Sequence, residues 1–299
     1  MVGAPLMLAG GVDAQELEPR AYSPSPVGTT FAVFGFGRSE GPILLDPALN
    51  TGSWEGELWM AAPGIGYVFA IAGRQARVLA VSPIAWGAIE RDTNGSAGPF
   101  HLAGFADPRF KFSIWLRGAP AESVADFART PRRAVVVGAS MTIAAPLGQY
   151  HATQLVNLGL HQWALKPELG ISRQFGRWTL DAYGGVWLFT ANKRYFPGWQ
   201  RREREPVATV QSHVSYTLHN RSWLAIDATW FSGGQTRING VRLSDDQQRN
   251  GRLGVTLSVP LSGPQSLKFV YNTGATTRRG TAFDSFNVTW QVVRFRNGR

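Results

Sequence analysis

Apolar and polar side chains alternate singly along most of this chain. In FDSFNVTWQVVRF, residues 283–295, Phe286, Val288, Trp290 and Val292 share one side, and Ser285, Asn287, Thr289 and Gln291 share the other. A period of two is that of a β-strand with one apolar and one polar face. The same pattern runs through SLKFVYNTG, GRLGVTLSVPL, SWLAIDATWF, VATVQSHVSYTL, RWTLDAYGGVWLFT and WALKPELGISRQF. It continues through AVVVGASMTIAAP and DPRFKFSIWL, and more loosely through ARVLAVSPIAWGAIE, GIGYVFAIAG and TTFAVFGFGR. The pattern therefore predicts an all-β chain of about twelve strands, each near the length that crosses a bilayer when tilted.

The predicted connections alternate in length. Short ones fall at 73–75, 176–177, 219–222 and 261–265, and long ones near 40–60, 91–100, 147–162, 191–206, 232–250 and 274–282. The connection GAPAESVADFARTPRR at 118–133 is the exception, and its stretch 122–129 reads as a brief helix, with Val124 and Phe127 on one side. Short turns at one end and long loops at the other are the asymmetry of outer-membrane barrels. Closing the ring removes the sheet edges, so every backbone donor and acceptor pairs inside hydrocarbon. The expected fold is a closed antiparallel transmembrane β-barrel, its apolar faces toward lipid. Trp163, Trp178, Trp230, Trp290 and Phe295 lie near strand ends and are the candidate membrane-interface aromatics.

Composition agrees with this reading. Charged residues are 17% of the 299, below the roughly 25% of an average soluble domain, while Gly (34), Trp (11) and Phe (17) are plentiful. There is no cysteine, which excludes disulfides, thiolate metal sites and cysteine nucleophiles. The start, MVGAPLMLAGGVDAQELEPR, is short and apolar, and Val12 and Ala14 form a signal-peptidase site before Gln15. Residues 1–14 are thus expected to be a truncated signal peptide, and 15–299 a single barrel domain. The net charge of +10 is spread through loops and polar strand faces, with no tract suited to nucleic acid. Its densest run, KRYFPGWQRRERE at 193–205, reads as a solvated loop or as a contact for lipopolysaccharide phosphates or an acidic solute.

Catalytic and cofactor patterns are missing. His101, His151, His161, His213 and His219 make no metal spacing, and GFGRSEG lacks the ending of a phosphate loop. Ser212 and His213 adjoin on one strand, so alternation sends them to opposite faces and bars a direct nucleophile–base pair. No metal, cofactor or enzymatic activity is expected. The informative set is the polar face: Arg109, Lys111, Lys166, Glu168, Asp181, His213, Asp227, Arg252 and Lys268 would all point into the lumen. They would either pair across the interior and plug it, or line a net-positive passage for acidic or polar aromatic solutes.

Several blocks resemble the outer-membrane proteins of the phenol-degradation meta-pathway family. They are LEPRAYSPSPVGTTF, LLDP, DPRFKFSIWLRGAPA, LAIDATWFSGGQTRINGV, SLKFVYNTGATTRRG and the long VVVGASMTIAAPLGQYHATQLVNLGLHQWALKPELGISRQFGRWTLDAYGGVWLFT. The resemblance runs from about Leu17 to Phe295. It implies a porin-like transporter in the bacterial outer membrane, its partners outer-membrane lipid, lipopolysaccharide and small organic solutes. Two other functions compete with passive, pore-like transport: a structural or surface barrel with an occluded lumen, and a barrel lipid hydrolase.

Overall fold

Exposure is reversed from that of a water-soluble protein. Leu169 and Ile226 are 63% and 66% exposed, whereas Lys166, His213 and Asp227 are 1%, 1% and 0% exposed. Such an outer face requires a lipid surround, because an apolar belt of this extent would not remain in water. The structure, a computed structural model, describes residues 6–7, 18–43, 54–91, 99–130, 135–154, 156–243, 246–277 and 283–295.

The strands close into one antiparallel ring. The first four are β1 (Thr29–Ile43), β2 (Trp54–Ile71), β3 (Arg74–Val81, continued by Ile84–Arg91) and β4 (Phe100–Phe105, continued by Arg109–Arg117). Next come β5 (Val135–Ala144), β6 (Ala164–Phe175), β7 (Trp178–Phe189) and β8 (Val207–Thr217). The last are β9 (Trp223–Gly233), β10 (Gln248–Pro260), β11 (Gln265–Thr277) and β12 (Asp284–Phe295). Each pairs with its neighbours in sequence, and β12 returns to β1 with Trp290 opposite Phe34 and Phe295 opposite Thr29. The fold is thus a closed twelve-stranded barrel: the fourteen segments of its sheet include two strands counted as halves.

Both breaks have a local cause. Pro83 and Pro108 have no N–H to give the ladder. The ladder is carried across by Ser82 N–H donating to the Pro63 carbonyl and Ala106 N–H donating to that of Pro83. β2 is longer than the alternation predicts, starting at Trp54 rather than Gly64, and β1 runs on to Ile43. Polar pairs hold this extension, with Arg38 bridging Glu40 at 2.5 Å and Glu57 at 2.8 Å. At the opposite end Ala72 and Gly73 both take positive φ, 47° and 72°, giving the tight turn that suits a two-residue hairpin.

The helix is Val124–Arg129, shorter than the expected 122–129. Ser123 caps it, its hydroxyl accepting from Asp126 N–H at 3.2 Å. Glu122 is drawn out of the helix because its carbonyl accepts from Val27 N–H at 2.9 Å. Apart from Leu6–Met7, which pair in parallel with Val156–Asn157, the candidate leader 1–14 lies outside the described residues. At the long-loop end the segments Asn192–Tyr195, Gln200–Arg204, Thr236–Ile238 and Val241–Arg242 form a separate four-stranded sheet. The sequence pattern places KRYFPGWQRRERE in a loop; it is a strand pair instead, Asn192–Tyr195 against Gln200–Arg204, with Gln200, Arg202 and Arg204 turned to the buried face.

Candidate functional site: the barrel lumen

The lumen holds part of the chain itself. Residues 18–28, just before β1, run along the inner wall instead of leaving the barrel. Tyr22 is the anchor. Its ring lies on Gly138 and Gly170, which face each other across β5 and β6, where any Cβ would collide with it. The row continues sideways, with Trp115 opposite Gly138 and Tyr183 opposite Gly170. Tyr22 meets both rings edge-on, at 6.2 and 5.3 Å between centroids. Two large side chains flank two glycines, and the slot between them takes one ring. Such edge-on pairs contribute about 0.5–1.5 kcal/mol each beyond area burial.

Hydrogen bonds fix the segment. Trp115 donates its indole N–H to the Tyr22 carbonyl at 2.7 Å, and the Tyr22 hydroxyl donates to Ser140 at 3.1 Å. Ala21 N–H donates to the Tyr183 hydroxyl, and Arg77 donates to the Ala21 carbonyl. Arg20 donates from its backbone to Asp181 and from its guanidinium to Ser215 and Thr217. It also stacks 4.7 Å over Trp223. Glu18 bridges Lys111 at 2.9 Å, and the charges of Arg77 and Lys268 also act on it.

All nine candidate lumen residues have inward side chains, as alternation requires. They fall into groups. Lys166 and Glu168 pair at 2.7 Å, and Lys111 lies 4.0 Å from Glu168 while bridging Glu18. Asp181, His213 and Asp227 form one row across β7, β8 and β9. His213 Nδ1 is 2.7 Å from Asp227 Oδ1, and Thr256 donates to the other Asp227 oxygen at 2.6 Å. Arg252 stands apart, donating to Asn272 and to the Phe283 carbonyl with its guanidinium 4.2 Å over the Phe283 ring. Arg109 and Lys166 both lie over Trp187, at 5.8 and 5.7 Å, and Arg204 caps Phe189 at 4.5 Å. Rings and cations thus alternate along the inner face of β7 toward the long-loop end.

The interior is more densely paired than an open, net-positive passage would be. Sequence reasoning missed Arg20, Tyr22, Trp115, Tyr183 and Trp187. A signal was present: Gly138 and Gly170 sit mid-strand on the inward face, a place where glycine marks close approach by another group. Ser212 is exposed on the outer face and His213 is buried on the inner one, so the two stay on opposite sides of the wall. The candidate interface aromatics Trp163, Trp178, Trp230, Trp290 and Phe295 are all exposed outside the barrel. No group of metal-ligating side chains occurs among the described residues.

The long connection after β5 folds back onto the break in β4. Asp107 accepts from Gly148 N–H at 2.8 Å and from Leu160 N–H at 2.9 Å. Asn192, on the separate sheet, donates to the Leu160 carbonyl and to the Tyr150 hydroxyl. Loop and sheet are thereby joined at the long-loop end.

Comparison with known proteins adds the following. Residues 46–290 match a family model described as "Putative MetA-pathway of phenol degradation". No curated protein matches the sequence. Among solved structures, an outer-membrane channel from Pseudomonas putida F1 is similar with a TM-score of 0.76 at 19% identity, over 93% of this chain and 100% of that one. The transport unit of the Escherichia coli autotransporter AIDA-I is similar at 0.51 and 9% identity, over 96% of each chain. The β domain of the Bordetella autotransporter BrkA gives 0.50 and 11%, over 89% and 99%. At these identities the likeness is one of fold, that of bacterial outer-membrane barrels.

Proposed function

The chain belongs to the phenol-degradation MetA-pathway family, and from that premise we propose that it is an outer-membrane channel for passive passage of small organic solutes, aromatic and acidic ones among them. The observation that carries this reading is the inner face of β7. There Arg109 and Lys166 lie over Trp187, and Arg204 lies over Phe189. A wall of rings and cations of this kind attracts a flat solute bearing negative charge, since the cations draw its substituent and its ring face. Among the described residues, Gln211 Oε1, His213 Nε2 and Thr229 Oγ1 on β8 and β9 have no hydrogen-bonding partner within the protein. A water held in the wall would satisfy them. The Pseudomonas putida structure is described as an outer-membrane channel, which supports the same class of function.

The lodged segment 18–28 favours a second reading, a structural barrel whose lumen stays shut and whose basic loops hold lipopolysaccharide. One experiment separates the two. Liposomes carrying the purified protein are tested for swelling in iso-osmotic acidic, neutral and basic small solutes. The channel reading expects swelling with no energy source, fastest with aromatic acids. Absence of swelling in every solute, for this chain and for one lacking residues 18–27, favours the shut barrel.

A further inference from the structure

The separate sheet at the long-loop end buries a guanidinium that forms no salt bridge among the described residues. Arg202 is 8% exposed, and its one side-chain hydrogen bond among the described residues is long, 3.5 Å from Nη2 to Thr236 Oγ1. Its Nε has no hydrogen-bonding partner among the described residues. Burying an unmatched charge is costly, and buried arginines are normally paired with carboxylates. The carboxylate that acts on it among the described residues is that of Asp246, whose two oxygens accept from Thr236 N–H at 3.2 and 3.0 Å. Burial pushes the Arg202 guanidinium below its usual range, and the positive charge of Arg204 adds to that.

The surroundings have a shape as well as a charge. Arg202 lies 5.4 Å from the centre of the Tyr195 ring. Tyr150, whose hydroxyl is tied to Asn192 on the same sheet, stacks on His161 at 4.8 Å. Gln200 shares the buried face with Arg202, and its amide oxygen is likewise unpaired. We propose that Arg202, walled by Tyr195 and Tyr150 with Gln200 beside it, is a binding site for a small aromatic carboxylate at the long-loop entrance. The guanidinium fork takes the carboxylate and the rings take the flat apolar body. A lipid phosphate is the poorer fit, because the guanidinium is enclosed on the inner face of the sheet while the outer face carries Arg201 and Arg242 in pairs with Glu203 and Glu205. The site deepens the channel reading and rests on it for its biological meaning.

The test is binding, not permeation. The full-length protein in detergent micelles is titrated calorimetrically with sodium benzoate and with benzyl alcohol, which has the same ring without the charge. The site predicts saturable benzoate binding, with benzyl alcohol bound far more weakly. In Arg202→Gln benzoate affinity should fall by about thirtyfold or more, with Arg202→Lys in between. Heat-modifiable migration on gels confirms that each variant is folded. Should Arg202→Gln not fold, Arg202→Lys, which keeps the charge but loses the fork, carries the test, with a severalfold loss of benzoate affinity expected. Benzoate binding no tighter than benzyl alcohol, or undiminished in folded Arg202→Gln, overturns the site and leaves transport to the swelling assay. Arg202-dependent benzoate binding by a protein that passes no solute would sustain the site and end the channel reading.

Discussion

Tyr22 sits where two strands give up their side chains to make room for a ring. If this anchor holds the segment in the lumen, Tyr22→Ala should loosen it while leaving the strands unchanged. Truncating a buried aromatic typically costs roughly 3–5 kcal/mol; here that cost falls on the docking of one segment. The expected outcome is larger single-channel conductance with unaltered heat-modifiability, and equal conductance would show that the segment is held elsewhere. Gly170→Val should act the same way from the wall side, since its new methyls would meet the Tyr22 and Tyr183 rings. Lumen charges call for similar care. Lys166 is locked to Glu168, so Lys166→Glu would set two buried carboxylates together and report on folding rather than selectivity. Lys111 and Lys268 are only partly buried. Replacing both with Gln should move the reversal potential of a reconstituted channel toward cation preference. An unmoved potential would remove them from the selectivity account. The charged wall was legible because charge and alternation are both sequence properties. The docked segment was not, because LEPRAYSPSP has no period and its partners are scattered over β3 to β9.

Strands are the scale at which sequence and structure agree best. Every segment read from alternation is a strand of the ring, since the pleat sends alternate residues to lipid and lumen whatever the neighbours are. The pattern weakens in the β1–β2 extension beyond Arg38 and Gly64, where Glu40, Glu55 and Glu57 share one face and small or apolar residues such as Gly41, Gly56 and Leu58 share the other, so charge takes the side that lipid takes elsewhere. The loop sheet was hidden for a related reason. In QRRER the buried and exposed positions are both arginine, so hydropathy has no period to show. The lipid-facing assignment predicts that Leu169→Lys, near the middle of β6, costs roughly 2–4 kcal/mol of stability in vesicles, measured by guanidinium unfolding. Val241→Lys, equally exposed but on the loop sheet, should cost almost nothing, and equal costs would refute the assignment. Ser123→Ala should loosen the short helix by about 1 kcal/mol, read as faster amide exchange at Asp126 with the barrel unaffected.

At the scale of the whole molecule, a lipid-facing shell encloses a polar wall and a length of its own chain. The basic charge that gives no nucleic-acid signature has a place in this arrangement. Part of it lies on the loop sheet and part on the inner wall, where cations lie over aromatic rings. Passage by diffusion then depends on how much room the segment 18–28 leaves and on what the inner face of β7 attracts. The most direct measurement is benzoate entry into proteoliposomes with no ion gradient or energy source, for the unmodified protein and for Tyr22→Ala. The account predicts saturable equilibration of benzoate in the first, faster equilibration in the second, and slower entry of a cationic ring of the same size in both. If neither protein admits benzoate faster than empty liposomes do, the barrel is not a channel for such solutes.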